Sequence, residues 1–343
     1  MEYRTLGKTG LKVSEICLGA MTFGKNFYGI AVMNQDEATA MIARSTDAGV
    51  NFIDTADIYS YGESEEIVGN AIRELAIRRD YIVVATKVRG AMGEGAKTGG
   101  RDVNNVGLSR HHIISGCEAS LKRLGLDYID LYQVHGWDSL TPIDETLRAL
   151  EDLVRQGKVR YLGCSNWSAR QLMKAVVTAR ERGWDQFSSL QAYYSLVARD
   201  LEHELVMLCE EEGLGILPWS PLSGGFLSGK YTRETQKVEG TRRNSFDFPP
   251  IDPRSFDAID TATEIAKERG ATVAQVSIAW LLAQKSVSSV IIGANKLSQL
   301  EDNLKSAELK LTTEEVERLS ATTQPPKLYP QWMIEFQRGE SGR

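Results

Sequence analysis

Short apolar runs rich in Val, Ile and Leu alternate along this chain with longer stretches whose apolar residues recur every third or fourth position, the periods of buried strands and amphipathic helices. "SEICLGA" (14–20) precedes the helical "QDEATAMIARSTDAG" (35–49), and "NFIDTA" (51–56) precedes "SEEIVGNAIREL" (64–75). "YIVVATKV" (81–88), "YIDLYQVH" (128–135) and "VRYLGCSN" (159–166) are followed by helical stretches at 109–125, 142–158 and 168–183. "SSLQAYYS" (188–195) precedes 201–213, and "LGILPWSPL" (214–222) precedes a long loop and helices near 256–269 and 273–285. "SSVIIGA" (288–294) then precedes 297–308.

Strand and helix in alternation predict a parallel sheet covered by helices. Eight such units, with no G-x-G-x-x-G after the first strand, favour a closed (β/α)8 TIM barrel over a doubly wound sheet. The whole chain, 1–343, reads as one α/β domain. Residues 1–13 form a hairpin turning at Gly7 to Gly10, expected to plug the barrel bottom, and 326–343 form a tail. Two insertions, the glycine-rich 89–107 and the segment 232–253, follow strand C-terminal ends, where such barrels hold their active sites. The first is expected to be a mobile flap.

Composition narrows the function classes. A net charge of −6 and a pI near 5.5 argue against a nucleic-acid or anionic-membrane partner. Cys17, Cys117, Cys164 and Cys209 form no C-x-x-C pair and suit a reducing compartment. "MEYRTLGKTG" has no apolar signal core and no apolar run is long enough to span a bilayer, so a soluble, cytoplasmic protein is expected.

Candidate chemistry gathers where strands end. "NFIDTADIYSYGESEEIVG" (51–69) passes from strand to helix, with Ser64 as a helix cap and Asp54, Asp57, Tyr59 and Tyr61 between. Strand two ends at Asp54, strand three at Lys87 and strand four at His135, so a barrel brings these residues to one mouth. A phenol with pKa near ~10 is a poor acid at neutral pH; an ammonium within ~4–6 Å lowers that pKa, and a carboxylate behind the lysine keeps it charged. A nearby imidazole can orient a carbonyl oxygen. Such a set aims one proton at one oxygen and suits carbonyl reduction or alcohol oxidation. It offers no nucleophile–base pair for acyl transfer and no ligand cluster for a metal.

"FIDTADIYSYGESEEIVG", "VVATK", "YIDLYQVHGWD", "GCSNW" and "PWSPLSGGFLSGKY", in that order, resemble the aldo-keto reductase superfamily over about residues 3 to 325, nearest its longer-chain bacterial and fungal, aryl-alcohol-dehydrogenase-like branch. The resemblance implies Asp54, Tyr59, Lys87 and His135 as a catalytic tetrad with Tyr59 as the general acid; Tyr61 does not fit the family spacing. It also implies a nicotinamide site from Ser165, Asn166 and Gln191, with Trp219 stacking on the ring and Ser220, Pro221 and Leu222 following it.

"GGFLSGKY" (224–231) nearly spells a P-loop, but Tyr231 stands where Ser or Thr would bind magnesium, and the segment comes late in the barrel. What remains is a pyrophosphate cradle from Gly224, Gly229 and Lys230. "GANKLSQLEDN" is similar to the family's adenosine segment, implying contacts from Gly293, Ala294, Lys296, Gln299 and Asn303, with Arg242 as a further one; Asn295 replaces an arginine common in this branch. The expected cofactor is NADP(H), ahead of NAD(H). Met21, Phe23, Tyr28, Trp137, Tyr329 and Trp332 are expected to wall an aromatic pocket for apolar or aryl carbonyls, or the corresponding alcohols. Two rival readings stand beside the reductase. One is a cofactor-binding regulatory barrel like the channel β-subunits of this superfamily; the other is a Schiff-base aldolase acting through Lys87. The sequence leaves the oligomeric state open.

Overall fold

The structure is a computed structural model that describes residues 1–25, 27–95, 97–239, 243 and 252–341. A hairpin of β1 (Tyr3–Thr5) and β2 (Lys12–Ser14) precedes eight parallel strands: β3 (Ile16–Gly19), β4 (Phe52–Asp54), β5 (Val83–Val88), β6 (Ile129–Val134), β7 (Val159–Ser165), β8 (Phe187–Tyr193), β9 (Gly215–Trp219) and β10 (Val290–Ile292). The helices between them are α1 (Gln35–Asp47), α2 (Glu63–Glu74), α3 (Arg110–Leu124), α4 (Ile143–Arg155), α5 (Ala169–Arg182) and α6 (Leu205–Glu212), with α7 (Ser255–Arg269) and α8 (Val273–Leu282) both after β9. After β10 come α9 (Leu297–Leu304), α10 (Thr313–Thr322) and α11 (Gln331–Ser341).

The strands pair in the order β10-β3-β4-β5-β6-β7-β8-β9, and a parallel bridge from Ile216 to Val287 brings the two ends together. This nearly closed (β/α)8 barrel is the predicted fold. Four helices begin with reciprocal side-chain caps: Asn34 with Glu37, Ser168 with Gln171, Thr272 with Gln275 and Thr312 with Glu315. Each pair satisfies amide donors that the first helical turn leaves over.

Alternation along the strands decides what lies inside the barrel. Leu6 and Val13 of the hairpin pack with Cys17, Phe52, Val83, Ala85, Leu131, Leu217 and Ile291 as one buried cluster. Their alternate neighbours, such as Leu18, Ile53, Val84, Tyr132 and Leu190, join the larger core beneath the helices. The hairpin therefore fills the bottom. Arg4 fastens it there, donating from Nη1 to Val287 O at 3.0 Å and from Nη2 to Leu282 O at 2.8 Å. Continuing the same period upward, Asp54, Lys87, Gln133 and Gln191 form the next inward layer, all of them buried.

Some expectations are corrected. α2 begins at Glu63 behind Gly62, and Ser64 does not cap it. The Ser64 hydroxyl instead donates to Ala20 O at 2.7 Å and lies 2.9 Å from Thr55 Oγ1, tying the helix to the strand ends. In the tail, α11 occupies most of the length. All four cysteines are buried and unpaired, and no helix among the described residues is long and apolar enough to cross a membrane.

The insertion after β5 is closed at its base by Gly107 N donating to Arg89 O at 3.1 Å and Met92 N to Asn105 O at 2.9 Å. Beyond that base most described residues are exposed and lie in turns. Amides of residues 97–104 are therefore expected to exchange rapidly and to slow when cofactor and an inhibitor bind together. Strong protection in the cofactor-free protein would count against a flap.

Candidate active site

β5 turns Val83, Ala85 and Lys87 toward the barrel axis, so an ammonium stands directly above apolar packing. Lys87 is 0% exposed and is satisfied by three oxygens: Asp54 Oδ1 at 2.5 Å, Thr55 O at 2.9 Å and Tyr59 Oη at 3.2 Å. Asp54 ends β4, and its second oxygen accepts from Gln133 Nε2 and Gln191 Nε2, each at 2.9 Å. The floor of the mouth is thus a closed hydrogen-bond set with a single phenol above it. His135, one residue past β6, meets the Tyr59 ring edge-on with centroids 5.6 Å apart. The four residues read as a tetrad in the sequence do come together.

Burial alone would pull the Lys87 ammonium down, but Asp54 and Tyr59 together raise it above its ordinary value, so it stays charged. For Tyr59 the sequence-level expectation is corrected. Burial raises the phenol pKa, and the opposing pull of Lys87 does not overcome it, because Asp54 screens that cation. The phenol therefore keeps its proton. Burial and the cations of Lys87 and Arg89 hold His135 well below its ordinary value, leaving a neutral imidazole. The arrangement presents a protonated acid, a cation to receive its charge and a neutral hydrogen-bonding ring.

The connection from Asp54 to α2 is strained where it places Tyr59. Ser60 and Tyr61 have φ of 47° and 54°, a conformation costly outside glycine and held here by Ser60 Oγ donating to Phe23 O at 3.0 Å. Tyr61 points outward, 56% exposed, and lies off the cavity. Asp57 also lies off it. Its carboxyl is buried with no side-chain hydrogen-bond partner, and burial with the nearby Glu65 outweighs the Ile58 and Arg89 backbone amides and pushes its pKa up to about 8.

A cavity of 810 Å³ opens over the tetrad and runs to α9. Ser165, Asn166, Gln191, Trp219, Ser220, Pro221, Leu222, Gly224, Lys230, Gly293, Ala294, Lys296, Gln299 and Asn303 all line it. Gly229 does not, and Arg242 lies outside the described residues. Two observations fit a dinucleotide. The Ser165 hydroxyl is buried on the wall with no partner, and Gly225 and Gly293 have open space where a side chain would stand. Gln191 is more committed than expected, since its amide also buttresses Asp54. Trp219 donates from Nε1 to Asn166 Oδ1 at 3.1 Å and stacks on Tyr193 at 4.9 Å.

The sequence reading missed Gln133 on the floor; a glutamine within an otherwise apolar parallel strand was its signal. It also missed Phe27, Ile30 and Asp302 on the wall, whereas Ser298, expected to offer a hydroxyl to the cofactor phosphate, does line it. Of the six pocket residues expected, Met21 and Tyr28 line the cavity. Phe23 is 1% exposed in the core, its place taken by Phe27, whose ring lies 5.5 Å from that of Tyr59. Trp137 packs on Trp167 at 4.9 Å, and Tyr329 and Trp332 meet each other at 6.0 Å on the exposed tail. Side-chain alternation cannot be followed through irregular loops, so these assignments failed where the regular strands ended.

The model of the Aldo/keto reductase family matches residues 15–323. A versiconal hemiacetal acetate reductase of Aspergillus parasiticus is 36% identical over 96% of this chain and 99% of its own. An aldo-keto reductase of Fusarium vanettenii is 34% identical over 92% of this chain and 89% of its own. A probable voltage-gated potassium channel subunit beta of Arabidopsis thaliana is 38% identical over 90% and 92%.

Proposed function

The chain belongs to the aldo/keto reductase family, an oxidoreductase family acting on small carbonyl compounds, and from that premise we propose that it reduces apolar or aryl aldehydes and ketones with NADPH, reversibly. The observation that carries this reading is the buried Asp54–Lys87–Tyr59 set beneath the cavity. Ser165, Asn166, Gln191 and Trp219 would hold a nicotinamide, whose chemistry there would be hydride donation to a carbonyl carbon. Tyr59 Oη gives its proton to the carbonyl oxygen, completing the alcohol. The phenolate left behind is stabilised by Lys87 and regains a proton from solvent through the mouth. Asp54 keeps Lys87 charged, and neutral His135 orients the carbonyl oxygen without competing as an acid.

NADP over NAD rests on charge at the far end of the cavity. Lys296 and Lys230 line it with Ser298 from the first turn of α9, a helix N-terminus suited to an anion. Asp302, the carboxylate on this wall, accepts from Thr272 Oγ1 at 2.9 Å and Gln275 Nε2 at 2.7 Å. A charge-assisted contact is worth roughly 1.5–3 kcal/mol, so Lys296→Ala should weaken NADPH binding about 10- to 100-fold and leave NADH nearly unchanged. Titrating tryptophan fluorescence with each cofactor reads this directly. Equal affinities in the unmodified protein would remove the NADP assignment.

The Arabidopsis relative favours a second reading, a cofactor-binding regulatory subunit with little turnover. Oxidation of NADPH with a generic aldehyde at 340 nm separates the two. A Schiff-base aldolase is disfavoured because it needs a neutral amine, while the Asp54 pair keeps Lys87 protonated.

A further inference from the structure

Arg89 follows β5 directly, two residues past Lys87, and is exposed outside the cavity lining, on the rim beside Gly136 and His135. Its place there is built. Arg89 adopts a φ of 149°, uncommon outside glycine, and its carbonyl receives Gly107 N at the base of the insertion. The side chain lies across Gly136, next to His135, where an added Cβ would meet Arg89 Cδ at 3.4 Å. Nε donates to Trp137 O at 3.0 Å, which fixes the guanidinium plane. Both Nη nitrogens lack an acceptor among the described residues, and no carboxylate among them lies within 4.0 Å. The nearby Asp138 feels the Arg89 charge, but its hydrogen bonds come from Leu108 N at 2.8 Å, Leu140 N at 2.9 Å and Thr141 Oγ1 at 2.6 Å. Arg89 nonetheless acts on the site, since its charge helps hold His135 neutral.

A guanidinium held by Nε, with both Nη nitrogens free and beside the carbonyl-orienting His135, is a ready partner for a carboxylate or phosphate. We propose that Arg89 is a specificity-determining residue that binds an anionic group on the substrate, so that the substrate class is a carbonyl compound carrying a carboxylate or phosphate on an aryl or aliphatic body. This rests on the reductase reading of the same site. With its side chain against Gly136, one residue from His135, Arg89 would meet an anion carried a short way from the carbonyl. The body of such a molecule would lie against Met21, Phe27 and Tyr28.

The test compares 4-carboxybenzaldehyde with its methyl ester, methyl 4-formylbenzoate, under NADPH. The acid is expected to have the higher kcat/KM, and Arg89→Met should lower its value about 10- to 100-fold, mainly through KM, while changing the ester less than about 2-fold. Arg89→Lys, which keeps the charge but loses the fork, should retain part of the preference. Equal kcat/KM for acid and ester, or equal losses on both in Arg89→Met, overturns the proposal. If neither aldehyde is reduced, the reductase reading fails by itself. Terephthalate binding to the cofactor-loaded protein, followed by tryptophan fluorescence, then decides on Arg89. Affinity lost in Arg89→Met supports it, and affinity unchanged overturns it.

Discussion

Tyr59→Phe is expected to lower turnover by about 10²-fold or more while changing NADPH affinity less than about 2-fold. The substitution removes one oxygen. The ring keeps its neighbours, Phe27 at 5.5 Å and His135 at 5.6 Å, and Lys87 keeps its bonds to Asp54 and Thr55, so the floor of the site survives. What is lost is the proton that burial holds on the phenol until a carbonyl arrives. Tyr61→Phe is the control, since that ring points into solvent two residues away. Single-turnover rates and cofactor titrations of both variants give the answer. Comparable losses in the two, or a fully active Tyr59→Phe protein, would mean that another group delivers the proton.

Asp57→Asn is expected to stabilise the protein at pH 8.5, by about 2–5 kcal/mol, and to do little at pH 4. The carboxyl is buried with no side-chain partner, and its pKa is pushed up to about 8 against 3.8 ordinarily. Below the ordinary value both folded and unfolded chains hold the proton, and Asp57 imposes no pH-dependent penalty. Between the two values only the folded chain holds it, so stability falls as pH rises, and the fall levels off above the folded value. An amide cannot ionise and escapes this penalty, although it brings its own unmet donors. Urea unfolding at several pH values measures the difference. A stability change independent of pH would show that Asp57 is already ionised at neutrality, with a partner such as bound water.

The sequence made the barrel and the tetrad legible for the same reason. Buried parallel strands must be apolar on both faces, so a lysine, an aspartate and a histidine at their ends stand out, and the fold brings those ends together. Gln133 was legible on the same ground and was passed over. Asp57 and Tyr61 were not separable from Asp54 and Tyr59 by pattern, because left-handed turns at Ser60 and Tyr61 decide which side chains face inward. Phe23 and Phe27 differ in the same way, by the path of a loop pinned to Ser60. The start of α2 was misplaced because Ser64 satisfies tertiary partners and not its own helix.

The hairpin that plugs the barrel has a bearing on how the chain is made. Arg4 is made long before the carbonyls it holds, which belong to Leu282 and Val287, and β3 pairs with β10. For most of synthesis the first strand therefore has an unpaired edge and the plug has no seat on that side. Closure must wait for the last strand, so the final step of folding joins the two ends of the domain at once. During that interval the exposed edge of β3 is where a nascent chain of this protein is most open to pairing with a neighbour, and where a chaperone would have most to shield.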